Sequence, residues 1–262
     1  HTDMGIANEL TDFFSFFVPG YRYMPAFRNK VWDGKIRLYN SQSQELPVGL
    51  FPYLQEFCGP RNYKVEVEHS NFYGLPGATV DVDPAELSTF INSLSLSTKG
   101  TRINPHDYQI EAICEGLHRK RSILLSPTGS GKSLIIYVLM RYLLQKTNKK
   151  CLIIVPTTSL VQQMYSDFED YSYYDNDFVV ENECHRIYSG KEKNVGKDVI
   201  ISTWQSVYKL PGKWFEQFSM VFGDECHGFK SKSLTSIMNK CREAEYRFGT
   251  TGTLDGTQTH RL

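Results

Sequence analysis

One octapeptide limits the fold more than anything else in the chain. Ser126-Pro-Thr-Gly-Ser-Gly-Lys-Ser133 follows the apolar run 122–125 and opens a helical pattern over 132–144. Strand, glycine loop and helix in that order make a phosphate-binding loop. Gly129 and Gly131 let successive N–H groups turn inward toward phosphate oxygens. The helix that starts near Lys132 adds its positive end. Lys132 brings a full charge to the β- and γ-phosphates, and Ser133 offers a hydroxyl to Mg2+. Thr128 and Ser130 complete the loop around the nucleotide. Ser126 stands where the general pattern has glycine.

Strand and helix patterns alternate around this loop. Strands are predicted at 151–155, 199–202, 220–223 and 247–249, with a helix at 160–168. That alternation predicts an α/β lobe of the RecA-like, P-loop kind, built on a parallel sheet. It spans 101–262. Residues 1–100 differ: a helix over 6–18, a hairpin of 35–39 with 46–50, helices at 52–58 and 84–94, and a strand at 63–68 predict a small α+β domain. The stretch SLSLSTKGTRINP (93–105) reads as a linker between the two.

A second chemical signal lies 92 residues after Lys132. Asp224-Glu-Cys-His227 follows the apolar run 220–223, at the end of a strand where α/β sheets bind ligands. Asp224 can hold Mg2+, and Glu225 can orient and deprotonate an attacking water. Lys132, Asp224, Glu225 and His227 are therefore the expected catalytic group, with Ser133 and Asp224 as the metal ligands.

Together these motifs resemble the superfamily 2 helicases and translocases, and further stretches match that family in order. Asp107-Tyr-Gln109 resembles its upstream glutamine element, which implies that Gln109 reads adenine. Ile154-Val-Pro-Thr-Thr-Ser-Leu160 resembles motif Ia, and Ser202-Thr-Trp-Gln-Ser206 the threonine-bearing strand-contact motif. Pro156, Thr157 and Thr203 sit just past strands, where small hydroxyls and N–H groups suit backbone phosphates. Gly249-Thr-Thr-Gly-Thr-Leu254 resembles motif III, with Gly252 where the family usually has alanine. This implies that Thr251 and Thr253 couple nucleotide to nucleic acid, with His227 as the link.

The N-terminal segment narrows the resemblance to the UvsW-type phage helicases, which remodel branched DNA in recombination and replication restart. Pro25-Ala-Phe-Arg-Asn-Lys-Val-Trp-Asp-Gly-Lys-Ile-Arg-Leu38 carries it, with Phe13-Phe14-Ser-Phe16 and Trp214-Phe215-Glu-Gln-Phe218. Arg28, Lys30, Lys35 and Arg37 are candidate DNA contacts here. The interleaved Tyr21, Tyr23, Phe27, Trp32 and Tyr39 either stack on bases or form core. The resemblance implies an ATP- and Mg2+-dependent DNA helicase, monomeric, cytoplasmic in a bacterial host cell. Two relatives of that activity stay open, a duplex translocase that does not separate strands and an RNA helicase. A small-molecule kinase would explain the loop but not the later series.

Composition sets outer bounds. Lys plus Arg total 29 and Asp plus Glu total 29, so bulk polybasic binding is excluded while a local basic face is not. Residues 1–100 carry net −3 and 101–262 net +3, so a DNA face on the first part must be one-sided. No apolar run reaches the roughly 20 residues that span a bilayer. The six cysteines have no zinc-finger spacing, and reduced thiols are expected. The chain opens on His1 and closes directly after a motif, which reads as a fragment lacking a second lobe. Without that lobe's arginine, weak ATP binding and very slow turnover are expected.

Overall fold

Two compact units divide the chain between Ala78 and Thr79. The computed structural model describes residues 2–68, 79–127, 129–147, 149–193, 196–227 and 232–252.

The first unit begins with helix α1 (Met4–Phe13). Asp3 caps it, its Oδ1 accepting from Ile6 N at 2.9 Å. The helical pattern was expected to run to residue 18, yet the helix stops at Phe13. Ser15 Oγ turns back onto the Thr11 carbonyl, and Ser15–Phe17 becomes strand β1. Helix α2 (Pro25–Arg28) follows, then β2 (Lys35–Arg37), which pairs antiparallel with β1. The aromatics Phe16 and Phe17 suit a pleated ladder better than a helix.

The expected hairpin of 35–39 with 46–50 is reduced to one bridge, Asn40 with Glu45. Asn40 Oδ1 accepts from the N–H groups of Gln42 and Ser43 and closes a tight turn. Pro47 then supplies no ladder donor, and a 3₁₀ turn leads into α3 (Phe51–Cys58). The alternating residues 63–68 form no strand. Ala7, Leu10, Phe14, Tyr39, Phe57 and Cys58 make the unit's core.

The second unit starts earlier than the sequence suggested. Helix α4 (Pro84–Ser93), capped by Asp83, buries Leu87 and Ile91 in the second unit's core. The supposed linker is a hairpin, β3 (Ser97–Thr98) against β4 (Thr101–Arg102). Lys99 and Gly100 form its two-residue turn, with φ of 49° and 71°. Asp170 holds this hairpin: its carbonyl accepts from Ser97 Oγ (2.6 Å), and its carboxylate from Thr98 Oγ1 (3.0 Å) and Lys99 N (2.6 Å). The boundary expected at residue 100 therefore lies at 78/79. Residues 79–100 belong to the lobe because their apolar side chains pack there.

The remaining elements are α5 (Asp107–Arg119), β5 (Arg121–Leu125), α6 (Lys132–Thr147), β6 (Lys150–Val155), α7 (Thr158–Tyr171), α8 (Val180–Glu183), β7 (Cys184–Ile187), β8 (Val199–Thr203), α9 (Trp204–Val207), α10 (Gly212–Phe215), β9 (Phe218–Gly223), α11 (Lys232–Lys240) and β10 (Tyr246–Thr251). Six strands form one parallel sheet in the order β5-β10-β9-β6-β8-β7. The α/β lobe is thus as expected.

Period-2 alternation splits the central strands between two cores. Cys151, Ile153 and Val155 face α5, α6 and α7, while Leu152 and Ile154 pack with Val207, Phe215 and Ile237 from α9, α10 and α11. Helices on both faces leave the carboxyl ends of the strands as the ligand edge. Among the described residues, no helix is long and apolar enough to cross a membrane.

Candidate functional site

The loop between β5 and α6 is held from two sides. Ser126 N donates to the Thr251 carbonyl at the end of β10, at 2.9 Å. From α5, Gln109 Nε2 (2.8 Å) and Tyr108 Oη (3.0 Å) both donate to the Ser130 carbonyl. Gln109 is 4% exposed, and its Oε1 accepts from His106 N at 2.8 Å, so the start of α5 fixes its amide orientation. Gly131 has φ of +79°, and a Cβ there would meet Gln109 Nε2 at 2.3 Å. Gly129, at +83°, gives the loop its second left-handed residue. Alternating turns of this kind point N–H groups into one concavity, an anion cradle. Thr128 lies outside the described residues.

The acids expected opposite the loop are there. β9 ends beside β10, and its Asp224 is buried. Asp224 N donates to the Ile154 carbonyl (2.9 Å), and its Oδ1 accepts from Thr250 Oγ1 (2.7 Å). Glu225 takes φ of 51°, an uncommon conformation for a side chain of its size, and reaches across to the loop. Lys132 Nζ donates to Glu225 Oε1 at 2.8 Å. His227 Nδ1 stands 3.2 Å from Glu225 Oε2 and 3.0 Å from Thr251 Oγ1.

These contacts close a ring. The loop reaches Glu225 through Lys132, Glu225 reaches Thr251 through His227, and the Thr251 backbone returns to the loop at Ser126. Burial, then the flanking carboxylates of Asp224 and Glu225, push the Cys226 thiol up to about 11, which makes it an unreactive packing group.

Of the motif III residues, Thr251 meets His227 as the resemblance implied, and Thr253 lies outside the described residues. Thr250, which sequence reasoning passed over, carries the contact to Asp224. Two adjacent threonines on a strand point to opposite sides, and the string Thr-Thr does not say which side faces the carboxylate. Ser133 Oγ lies 2.8 Å from the phenol oxygen of Tyr171.

The expected strand-contact residues come together on neighbouring strands. Val155 pairs with Thr203, which places Pro156 and Thr157 beside it. Thr157 caps α7, its Oγ1 accepting from Leu160 N at 3.3 Å. Thr203 is buried, with its Oγ1 2.9 Å from Ser206 Oγ. The open feature at this edge is therefore the amino end of α7, whose first N–H groups and positive dipole suit a phosphate.

In the first unit, Arg28 and Lys30 join Arg22 around a groove of about 550 Å3 lined also by Phe27, Val31, Trp32 and Asp33. Lys35 places its ammonium 5.1 Å over the Phe17 ring, and Arg37 pairs with Asp33. The aromatics divide: Tyr39 is core, Tyr21 stacks on Phe17 at 4.7 Å, Trp32 Nε1 donates to the Lys35 carbonyl, and Tyr23 is 86% exposed.

A glycine loop between the first strand and helix of a parallel sheet, facing carboxylates on a nearby strand, defines a RecA-like nucleoside-triphosphate-binding lobe. The chain belongs to the family described as "Type III restriction enzyme, res subunit", matched over residues 102–256. Residues 1–68 match the domain described as "DNA helicase UvsW, N-terminal".

Among curated relatives, the chain is 38% identical to "ATP-dependent DNA helicase uvsW" of Enterobacteria phage T4, over 94% of this chain and 48% of that protein. It is 29% identical to "DNA 3'-5' translocase XPB2" of Sulfurisphaera tokodaii, over 62% of this chain and 34% of that one. The chain therefore spans half or less of the length of these relatives. Among solved structures, "Crystal structure of the UvsW helicase from Bacteriophage T4" superposes with a TM-score of 0.79 at 37% identity, covering 98% of this chain and 89% of that one. The superfamily 2 resemblance read from the motifs is borne out.

Proposed function

We propose that this chain is the nucleotide-binding lobe and accessory domain of an ATP-dependent motor that remodels branched DNA, acting as a monomer in the cytoplasm of a bacterial host. The ring through Lys132, Glu225, His227 and Thr251 carries this reading. It joins a phosphate cradle to the acids at the end of β9 and to motif III at the end of β10, and Asp224 N on the Ile154 carbonyl ties those acids to β6, the strand that leads to Thr157.

Residues 129–133 would cradle the phosphates, Lys132 meeting the β- and γ-groups and Gln109 the adenine. Ser133 and Asp224 offer a hydroxyl and a carboxylate, the hard oxygen donors that suit Mg2+. Bound there, Mg2+ would neutralise charge developing on the transferred phosphoryl. Glu225 would align water and accept its proton once Lys132 turns to the phosphates. His227 would pass the change at Glu225 to Thr251, and from motif III toward the strand edge, with Thr253 next in line. Pro156, Thr157 and the amino end of α7 would hold backbone phosphates near Thr203. Arg28, Lys30, Lys35 and Arg37 would give the first unit a one-sided DNA face.

The test is ATP turnover by the protein with no nucleic acid, with RNA, with linear duplex and with branched DNA, using Lys132→Ala as the blank. Stimulation chiefly by branched DNA supports the proposal. Stimulation by RNA alone, or equal stimulation by linear duplex, moves the protein to one of the alternative motors.

A further inference from the structure

The Ser133 hydroxyl is a small part of the nucleotide site, and its O–H rotates to suit its partners. A serine Oγ that ligates a cation presents a lone pair to it and places its proton on another acceptor. Two such acceptors come from α7. Tyr171 Oη lies 2.8 Å from Ser133 Oγ, and the Asp167 carboxylate lies within reach of the same hydroxyl. Asp167 and Tyr171 are four residues apart, on one face of the helix.

Tyr171 is itself held. The Tyr171 ring packs on Tyr137 at 5.6 Å, and Tyr137 packs on Phe168 at 5.2 Å. Arg141 Nη1 donates to the Tyr137 hydroxyl at 2.7 Å and also pairs with Asp175. Tyr171 is thus wedged between α6 and α7, with little freedom to leave Ser133. Among the described residues, no other side chain of the ring of contacts is hydrogen-bonded to that hydroxyl.

We propose that Tyr171 and Asp167 are positioning residues: they hold the Ser133 hydroxyl in one rotamer and so set the affinity for the divalent cation that accompanies the nucleotide. This rests on the proposed nucleotide site. Partners that orient a metal ligand are worth roughly 10- to 100-fold in metal affinity, and the lower figure fits one hydroxyl among several ligands.

The experiment is a fluorescence titration of this chain with N-methylanthraniloyl-ADP, in EDTA and over a series of Mg2+ concentrations. Tyr171→Phe and Asp167→Asn keep the shape of each side chain. Each is expected to raise the Mg2+ concentration at half-effect by about tenfold. Added to Ser133→Ala, neither substitution should shift it further. A merely structural role would lower the melting temperature and weaken binding equally with and without Mg2+. The inference is overturned if the Mg2+ midpoint of Tyr171→Phe and Asp167→Asn stays at the parent value, falls below it, or still shifts in the Ser133→Ala background. If the parent chain itself shows no Mg2+-dependent nucleotide binding, the reading of the site fails first.

Discussion

Lys132 and Glu225 are joined at 2.8 Å, so the cation that would meet phosphate is held by the residue that would handle the attacking water. A single ammonium cannot serve both fully. On the proposed reading, nucleotide entry would release Glu225, and the release would deliver a carboxylate ready to take a proton.

Replacing Glu225 by Gln removes the competing charge while keeping its shape. Nucleotide affinity is expected to rise by a few-fold, about 1 kcal/mol for a partly exposed pair. Turnover should fall by about 10²-fold or more through loss of the base. Equilibrium binding and steady-state hydrolysis on the same preparation check both signs.

Thr250→Val leaves the Asp224 carboxylate buried without its hydroxyl donor. A loss of about 1–3 kcal/mol is expected, read from urea denaturation. Thr251→Val, which loosens His227 instead, should cost less stability and show its effect in coupling of hydrolysis to nucleic acid.

Gly131→Ala is blocked twice, by a φ of +79° and by Gln109 Nε2 at 2.3 Å from the new Cβ. Combining it with Gln109→Ala removes the clash but not the backbone strain. Nucleotide binding should be lost in the single variant and only partly regained in the double, by the same fluorescence titration.

Alkaline pH should destabilise the lobe. Burial lifts the thiols of Cys226 to about 11 and Cys241 to about 12, against 9 for a free thiol. Between those values the unfolded chain loses protons that the folded chain keeps. Stability is therefore full well below pH 9 and falls as pH rises from 9 toward the folded values, by about 1.4 kcal/mol per pH unit for each thiol. Urea midpoints from pH 7 to 10.5 test this, with Cys226→Ala flattening the slope.

The lobe was legible wherever a strand ran continuously apolar into a motif, as at Cys151 to Val155 before Pro156. It was less legible where charge broke the run: β7 carries His185 and Arg186 at the sheet edge, and the sequence showed no strand there. The stretch 93–105 misled for another reason. Its serines and threonines look like a linker, but Ser97 and Thr98 are bound to Asp170, over 70 residues away, and no local pattern announces that partner. In the site, residue types and strand ends were readable, whereas Thr250 and Tyr171 depended on side-chain direction and helix packing.

The sheet order carries a consequence for assembly. Among the described residues, β5, the strand that leads into the glycine loop, lies at the edge of the sheet and pairs with β10, more than 120 residues later. Strands β6, β7, β8 and β9 can pair among themselves without either. A growing chain thus completes most of its sheet while the loop still has no anchor at Ser126. High contact order of this kind makes late, slow closure the expected step. Insertion of β10 then docks β5, seats the loop and brings Thr250 and Thr251 to the acids in one event, so that folding and acquisition of nucleotide affinity finish together.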